Sequence, residues 1–197
     1  MVWDKGFNFR ATSGFVTDGA SETYVLEDPY PTTRNGVTFG WVTITENTRD
    51  RDNAVDRRLA GINFQGNDGG AIQRVFRIDL DAMGDYIISL AGGDDAATQT
   101  LECSFLDNTT VFAHPGNATV TGVAEYVDAT GVVRTQADWP TQHATIARTF
   151  ASTIFNVRIN DGATISNSSC LAHVFVSQVA TAGATAGKMN TYRQRRI

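Results

Sequence analysis

Residues 75–90, VFRIDLDAMGDYIISL, decide how the chain folds. Apolar residues occupy every second position of the first arm, at Phe76, Ile78 and Leu80. The second arm is a denser apolar run of Tyr86, Ile87, Ile88 and Leu90, and a short turn separates it from the first. Alternation on one arm and an apolar run on the other predict a β-hairpin with one buried face. Such regular side chains favour a structural role, so we expect any functional site to lie in the loops.

The rest of the chain repeats this pattern of short apolar segments separated by turn residues. The 197 residues include 18 glycines and 4 prolines, and 42% of the chain is apolar. We expect about ten strands at spacings of roughly 8–12 residues, which is typical of one antiparallel β-sandwich. The all-β sandwich is expected to span residues 1–178, and the basic segment 179–197 is expected to be a flexible tail.

Charge and targeting features argue against several classes of protein. The net charge of −5 argues against nucleic-acid binding, which needs a basic face. The sequence shows neither a membrane span nor a signal peptide, so we expect no membrane partner and synthesis in the cytosol. Cys103 and Cys170 are expected to be buried thiols, with a disulfide between neighbouring strands as the alternative.

Catalysis has little support in the sequence. The HExxH, P-loop, GxGxxG and GxSxG motifs are absent. His114 and His143 lie in turn-like sequence, and His173 lies within an apolar strand, where a structural role is expected. The chain is therefore predicted not to be an enzyme.

Several short pieces of the sequence together resemble a known family. They are Phe7-Asn8-Phe9 and residues 34–41 (RNGVTFGW), 76–80 (FRIDL), 84–90 (GDYIISL) and 126–131 (YVDATG). They resemble the galactose-binding-like jelly roll found beside rhamnogalacturonan acetylesterases and other polysaccharide-active enzymes, and more distantly the malectin-like modules. This resemblance covers residues 7–177 and implies a jelly-roll sandwich that binds carbohydrate.

The sequence departs from that family's usual context in two ways. We expect no catalytic domain after the sandwich and no export signal before it. Both departures are explained if the protein is carried on a larger assembly, such as a bacteriophage virion, and is released outside the cell on lysis. The predicted role is then a carbohydrate- or surface-binding decoration or spike component, with a glycan and the particle as partners. The exposed edges of a sandwich also predict a homo-oligomer.

Two other functions stay open at this stage. The chain is alternatively a purely structural capsid or tail assembly protein that binds no glycan. A third reading makes it an accessory module of a polysaccharide esterase.

Sugar binding needs aromatic faces that stack on apolar sugar surfaces and planar polar groups that bind hydroxyls. The candidate aromatic residues are Tyr30, Trp41 and Trp139. Trp139 precedes Pro140 in a polar loop and is expected to be exposed, whereas Trp41 also fits a core position. The candidate charged partners are Arg34, Arg49, Asp50 and Arg51. The last three lie in segment 46–58, which is alternatively a surface loop with internal ion pairs.

The same resemblance implies a structural calcium ion. Calcium takes several oxygen ligands from carboxylates and carbonyls. The candidate ligands are Asp94, Asp95 and Asp128, with Asp18 as a further candidate. None of them fits the EF-hand spacing, and turn formation is the alternative role for each.

Overall fold

The computed structural model describes residues 3–12, 21–43, 47–51, 56–64, 73–94, 98–115, 118–120, 125–160 and 169–180. Within these ranges the chain is built almost entirely of strands, which we number β1–β17 in chain order. Helical structure there is limited to α1 (Trp139–Gln142) and a 3-10 turn (Arg57–Leu59). No helix in this part of the chain is long and apolar enough to cross a membrane.

The larger sheet has nine strands among the described residues. They are β1 (Asp4–Phe9), β2 (Glu22–Val25), β5 (Asn47–Asp50), β6 (Gly61–Phe64), β8 (Gly84–Gly92), β13 (Glu125–Val127), β14 (Val133–Thr135), β15 (Ile146–Phe150) and β17 (Cys170–Gln178). Neighbours follow the order β14-β13-β8-β17-β1-β2, while β15 adds to β8 and β6 joins β17 to β5. The pairs are antiparallel, except that β1 and β2 run parallel.

The second sheet has six strands in the described part of the chain. They are β3 (Thr32–Arg34), β4 (Val37–Trp41), β7 (Arg74–Asp79), β10 (Cys103–Asp107), β11 (Thr110–Ala113) and β16 (Ile154–Ile159). The order is β11-β10-β16-β7-β4-β3, and every pair is antiparallel. β9 (Gln99–Leu101) and β12 (Ala118–Val120) form a separate two-stranded pair.

Residues 75–90 form an arch between the two sheets, so the predicted hairpin is wrong. β7 belongs to the six-stranded sheet and β8 to the nine-stranded sheet. The Leu80 amide donates to the Thr153 carbonyl at 2.8 Å, and the Tyr86 hydroxyl donates to the Ala82 carbonyl at 2.8 Å. The prediction failed because alternation identifies the buried face of a strand but not the strand that pairs with it.

The inner faces of the two sheets enclose the main core. The two arms of the arch face each other there, with Ile78 on one side and Ile88 on the other. An aromatic cluster joins β1, β4 and β7, with ring centroids 4.9–6.0 Å apart. Its members are Phe7, Phe9, Phe39, Trp41 and Phe76. Offset and edge-to-face packing of these rings stabilises the contact between the sheets.

A second apolar cluster, which we call the outer cluster, lies on the other side of the nine-stranded sheet. It consists of Leu59, Ala60, Ile62, Ala91, Tyr126, Trp139, Cys170 and Ala172. Ala91 and Ala172 are members, whereas their neighbours Leu90 and Leu171 belong to the main core. Because successive side chains of a strand point to opposite faces, the outer cluster packs on the outer face of this sheet.

The predicted fold class, an antiparallel β-sandwich of jelly-roll type, is confirmed. The predicted strand count was too low, because the described residues form seventeen strands, many of which have only three or four residues. Cys103 and Cys170 are both buried and are not joined by a disulfide. The predicted tail lies almost wholly outside the described residues, which end at residue 180.

Candidate ligand-binding face

The outer faces of the two sheets differ in what covers them. The outer cluster and α1 cover part of the nine-stranded sheet. On the six-stranded sheet, partly exposed polar residues alternate with the core residues of β4, β7 and β16. Four of them are Thr38, Arg77, Asp79 and Asn156. We call the surface of these four residues, together with Tyr30 and Thr33, the open face.

Tyr30, Arg77 and Asp79 form a bonded group on the open face. The Tyr30 hydroxyl donates to Asp79 Oδ2 at 2.9 Å, and Arg77 Nε donates to Asp79 Oδ1 at 2.8 Å. The guanidinium carbon of Arg77 lies 4.3 Å from the centre of the Tyr30 ring. The side chains of Arg77 and Asp79 are 27% and 32% exposed, so a ligand in solution can reach them.

The backbone at Gly40 places Tyr30 beside the sheet. Residues 28–30 run along β4, where the Tyr30 amide donates to the Trp41 carbonyl at 3.0 Å and the Trp41 amide donates to the Asp28 carbonyl at 2.8 Å. Gly40 has a φ of +144°, and a Cβ there would lie 2.6 Å from the Tyr30 amide nitrogen. Only glycine allows both this φ and this close approach.

An ion pair fixes the segment that carries Tyr30. Arg34 binds Asp28 through two hydrogen bonds of 2.9 and 3.0 Å, and Asp28 also accepts from the Leu26 amide. The Arg34 guanidinium stacks on Tyr24, 3.9 Å from the ring centre. A two-pronged Arg–carboxylate pair sets geometry as well as energy, so Tyr30 is held by a rigid frame.

The Tyr30 phenol stays protonated at neutral pH. Partial burial, followed by the hydrogen bond to Asp79 and its negative charge, raises the pKa of Tyr30 above the ordinary value, and Arg77 opposes this. The phenol therefore acts as a hydrogen-bond donor to the Asp79 carboxylate. This leaves the ring as a neutral aromatic surface on the open face.

Both candidate tryptophans are buried, and the expected exposure of Trp139 is wrong. Trp139 has 0% exposure and donates its indole N–H to the Leu90 carbonyl at 3.1 Å. The stretch predicted as a polar loop is α1, whose tryptophan turns inward onto the outer cluster. Trp41 occupies the core position kept as the alternative, with 1% exposure and a 3.2 Å bond from its indole nitrogen to Asn63. A sugar cannot stack on either ring in this structure.

The three charged candidates of segment 46–58 contact three different parts of the protein. Arg49 is exposed, and its guanidinium lies 4.7 Å from the ring centre of Phe64. Asp50 accepts from the Ala11 amide and the Thr12 hydroxyl, at 3.0 and 2.7 Å. Arg51 binds Asp94 through its Nε at 2.8 Å. The structure therefore does not join these three residues with Tyr30 in one site.

Two candidate calcium ligands have protein partners. Asp94 is 1% exposed and pairs with Arg51 through both carboxylate oxygens. Asp128 is fully buried and accepts from the Thr130 hydroxyl at 2.7 Å and from Arg134 Nε at 2.9 Å. Burial pushes the pKa of Asp128 up, but these bonds outweigh it and hold the pKa below its ordinary value. The described residues contain no cluster of three acidic, histidine or cysteine side chains suited to a metal. Asp18 and Asp95 lie outside the described residues, and calcium binding stays a prediction.

A buried polar group that the sequence did not indicate lies near α1. Glu22 Oε2 accepts from Asn8 Nδ2 at 2.7 Å and lies 3.2 Å from His173 Nε2. All three side chains are at most 2% exposed. The Trp139 ring packs edge-on against His173, with centroids 5.5 Å apart. The bonds of His173 to Glu22 match the structural role predicted for it.

The sequence also did not indicate the members of the open face other than Tyr30. Arg77 and Asp79 are the polar residues that alternate with the core positions of residues 75–80. The signal that could have found them is this alternation, because it predicts which side chains point away from the core. The sequence favours the loops as the place of a functional site, because the regular alternation of a strand indicates only a structural role.

No protein-family model and no curated protein matches the sequence. The solved structures that are similar to this chain include the following three. Bacteroides uniformis beta-glucuronidase 2 has 13% identity and a TM-score of 0.48, over 90% of this chain and 18% of that one. The ANX2 ectodomain from Arabidopsis thaliana has 10% identity and a TM-score of 0.48, over 92% and 50% of the two chains. The complex of the plant peptide RALF23 with FER and LLG2 has 11% identity and a TM-score of 0.47, over 92% and 42%.

The chain thus spans half or less of the length of each of these structures. Likeness at this level indicates neither a ligand nor an activity. The class that the fold itself defines is a β-sandwich module with one open sheet face. Membership of the galactose-binding-like family stays a prediction.

Proposed function

We propose that this chain is a carbohydrate-binding module that holds its ligand on the open face and catalyses no reaction. The main support is the group of Tyr30, Arg77 and Asp79, in which a partly exposed ring lies beside a guanidinium and a carboxylate. Aromatic rings stack on the apolar faces of sugars, and planar polar groups bind pairs of hydroxyls. The threonine hydroxyls of Thr33 and Thr38, 3.1 Å apart, add further hydrogen-bonding groups.

The rigidity of the open face also favours binding. The central strand β7 is paired with β4 on one side and with β16 on the other. The Arg34–Asp28 ion pair fixes the segment that carries Tyr30. A site that is ordered before binding loses less conformational entropy when the ligand arrives. Weak individual contacts with sugar hydroxyls can then add up to measurable affinity.

The chemistry of the open face supports binding without catalysis. Glycoside hydrolysis by the common mechanism uses two carboxyl groups about 5–10 Å apart. Among the six residues that define the open face, Asp79 alone is a carboxylate, and it is bonded to Tyr30 and Arg77. Ser104, which contacts His114 at 2.8 Å, is fully buried and cannot reach a substrate.

A glycan array with the purified chain tests the proposal. We expect at least one polysaccharide to bind, and we expect Tyr30→Ala to weaken its binding by about tenfold or more, because the stacking surface is lost. Isothermal titration calorimetry with the best polysaccharide measures the change.

Phe64→Ala is the matched control. Phe64 is also a partly buried aromatic residue with an arginine over its ring, but it lies on β6 of the other sheet. We expect this variant to bind as the unmodified chain does. An array without any bound glycan, or equal affinity of the Tyr30→Ala variant and the unmodified chain, would show the proposal to be wrong.

We extend the proposal to a role on a larger particle, such as a virion. This role was predicted from the two departures of the sequence from the family's usual context, and the basic segment 181–197 lies outside the described residues. Removing residues 181–197 and measuring glycan binding again separates the two roles. We expect glycan binding by the open face to be unaffected.

A further inference from the structure

The polar side chains of the open face lie on four adjacent strands, in two neighbouring rows. Thr33 on β3 pairs with Thr38 on β4, and their hydroxyls are 3.1 Å apart. Phe39 on β4 pairs with Ile78 on β7, which places Thr38 and Asp79 in the same row. Arg77 and Asn156 pair across β7 and β16 and form the second row, which continues on β4 at Gly40. The 2.8 Å hydrogen bond from Arg77 to Asp79 joins the two rows, so a polar track runs obliquely across the strands from β3 to β16.

The track has a defined start and end. β3 is the edge strand of the six-stranded sheet, and Thr33 on it is exposed. Beyond Asn156, the next residue in the row is Leu106 on β10, an apolar side chain that is 5% exposed. The hydrogen-bonding side chains of this row thus stop at β16, because the next side chain is apolar and buried.

The length of the track sets the size of a matching ligand. Adjacent strands are about 4.8 Å apart, so four strands span about 14 Å from the first to the last. A pyranose residue in an extended chain advances by nearly the same distance as one strand spacing. Three or four sugar units laid across the strands would each meet the polar side chains of one strand.

We propose that the open face binds an extended oligosaccharide segment of three to four sugar units that runs across the strands, and not a single terminal sugar. This inference rests on the proposed function. Tyr30 lies within the track, where its hydroxyl binds Asp79 on β7. Its ring meets a central sugar, while the Thr33 hydroxyl and the side-chain amide nitrogen of Asn156 meet the sugars at the two ends.

A size series tests the inference. The probe is the polysaccharide with the strongest signal on the array, cut by partial acid hydrolysis and separated into fragments of one to six units. We expect affinity to rise by about tenfold or more between one and three units and to level off after four, because longer fragments extend beyond the track. Calorimetry or microscale thermophoresis gives each dissociation constant.

Two end variants locate the ligand on the track. We expect Thr33→Ala and Asn156→Ala each to weaken the binding of three- and four-unit fragments by several-fold and to leave single-sugar binding unchanged. Tyr30→Ala is expected to weaken binding of every fragment. Thr33 lies on an edge strand with an exposed side chain, so its variant tests the track even if Asn156→Ala, which loses a bond to the Asn108 carbonyl, folds poorly.

The outcomes separate this inference from the proposed function. If a single sugar binds as tightly as a three-unit fragment, and Tyr30→Ala still weakens both, the extended track is wrong and glycan binding on the open face stands. If affinity keeps rising through six units, the ligand does not follow the track. If no polysaccharide binds, both proposals fail together.

Discussion

Gly40 is the single residue on which the geometry of the open face most depends. Its φ of +144° is unfavourable for other residues, and a Cβ there would meet the backbone of Pro29 and Tyr30 at 2.6 Å. We expect Gly40→Ala to lower the free energy of unfolding by about 2–4 kcal/mol, since backbone strain and a steric clash act together. Urea denaturation followed by tryptophan fluorescence measures the change.

Gly36→Ala is the control that separates strain from steric clash. Gly36 also has a positive φ, +72°, but no atom lies within 4 Å of the position of its Cβ. We expect it to cost only about 1–2 kcal/mol, the usual penalty for a left-handed non-glycine residue. Equal losses in the two variants would mean that the contact with residues 29–30 is not a constraint. Glycan binding should fall in Gly40→Ala alone, because only that change displaces Tyr30.

The individual residues show where sequence reasoning reached its limit. Tyr30 was chosen as a loop aromatic, and the structure places it on a partly exposed surface. Trp139 was chosen for the same reason, yet it turns inward because the outer cluster offers an apolar surface and the Leu90 carbonyl an acceptor. Neither the cluster nor the acceptor is local in sequence. Burial of a single aromatic residue therefore depends on contacts that a local pattern does not contain.

At the scale of elements, α1 is attached to the nine-stranded sheet through ionisable side chains. The His143 ring stacks on Trp139 with centroids 4.7 Å apart, and Arg58 lies over the same indole at 4.9 Å. Burial lowers the pKa of His143 below its ordinary value, and the positive charge of Arg58 lowers it further. The bond to the Trp139 carbonyl and the charge of Asp128 oppose these effects. Protonation of His143 is therefore less favourable in the folded state than in the unfolded state.

The sign of the pH dependence follows from this difference. The folded chain binds a proton at His143 less readily than the unfolded chain does. The stabilising contribution of neutral His143 is therefore complete above the unfolded pKa of about 6.5 and is lost as the pH falls below it. We expect the free energy of unfolding to decrease between pH 7 and pH 5. We expect His143→Gln to reduce this decrease measurably. Urea titrations at three or four pH values provide the measurement.

His114→Gln is the matched control for the loss of one imidazole. His114 is exposed and contacts Ser104 on β10, far in sequence from α1. We expect the His114→Gln variant to keep the full decrease between pH 7 and pH 5. The same slope in the His143→Gln variant and the unmodified chain would contradict the role given to His143.

Residues 75–90 show which part of an element the sequence can predict. The two strands and the buried face of the first follow from the order of apolar residues and agree with the structure, whereas β8 is longer than predicted and extends from Gly84 to Gly92. Their pairing does not follow, because β7 and β8 find their hydrogen-bonding partners in β4, β16, β15 and β17. Long-range pairing depends on the closure of many loops, which no local pattern encodes. The outward residues of β7 gain their neighbours only through this pairing, so the open face could not be assembled from sequence.

At the scale of the whole molecule, composition and turn spacing were enough to predict a β-sandwich, but not how its two sheets are joined. The two sheets are connected by residues 80–83, which form the turn of the arch, and they are also connected through Asp107 at the end of β10. Asp107 accepts from the Ala151 amide at 2.8 Å and from the Ser152 hydroxyl at 2.7 Å, just after β15 of the other sheet. Its side chain is 5% exposed and also pairs with Arg148 at 3.4 Å. Nothing in the sequence distinguishes Asp107 from a turn aspartate.

The bonds to Asp107 predict a pH-dependent contribution to the stability of the whole sandwich. Burial pushes the pKa of Asp107 up, but the bonds from Ser152, Ala151 and Arg148 outweigh it and hold the pKa below its ordinary value. The stabilisation is complete above the unfolded pKa of about 3.9 and is lost as the pH falls through the lower folded pKa. We expect Asp107→Ala to lower the free energy of unfolding by about 2–4 kcal/mol at pH 7, because buried donors are left without an acceptor.

Asp85→Ala is the matched control. Asp85 also forms a hydrogen bond to β15, but Asp85 and β15 belong to the same sheet. Asp85 is exposed on β8 and accepts from the Thr149 hydroxyl. We expect a loss of less than about 1 kcal/mol, as for most exposed polar contacts. The deficit of the Asp107→Ala variant should shrink as the pH approaches 3, since protonation removes the same acceptor from the unmodified chain. A deficit that stays constant from pH 7 to pH 3 would show that Asp107 stabilises the sandwich by packing and not through its charged hydrogen bonds.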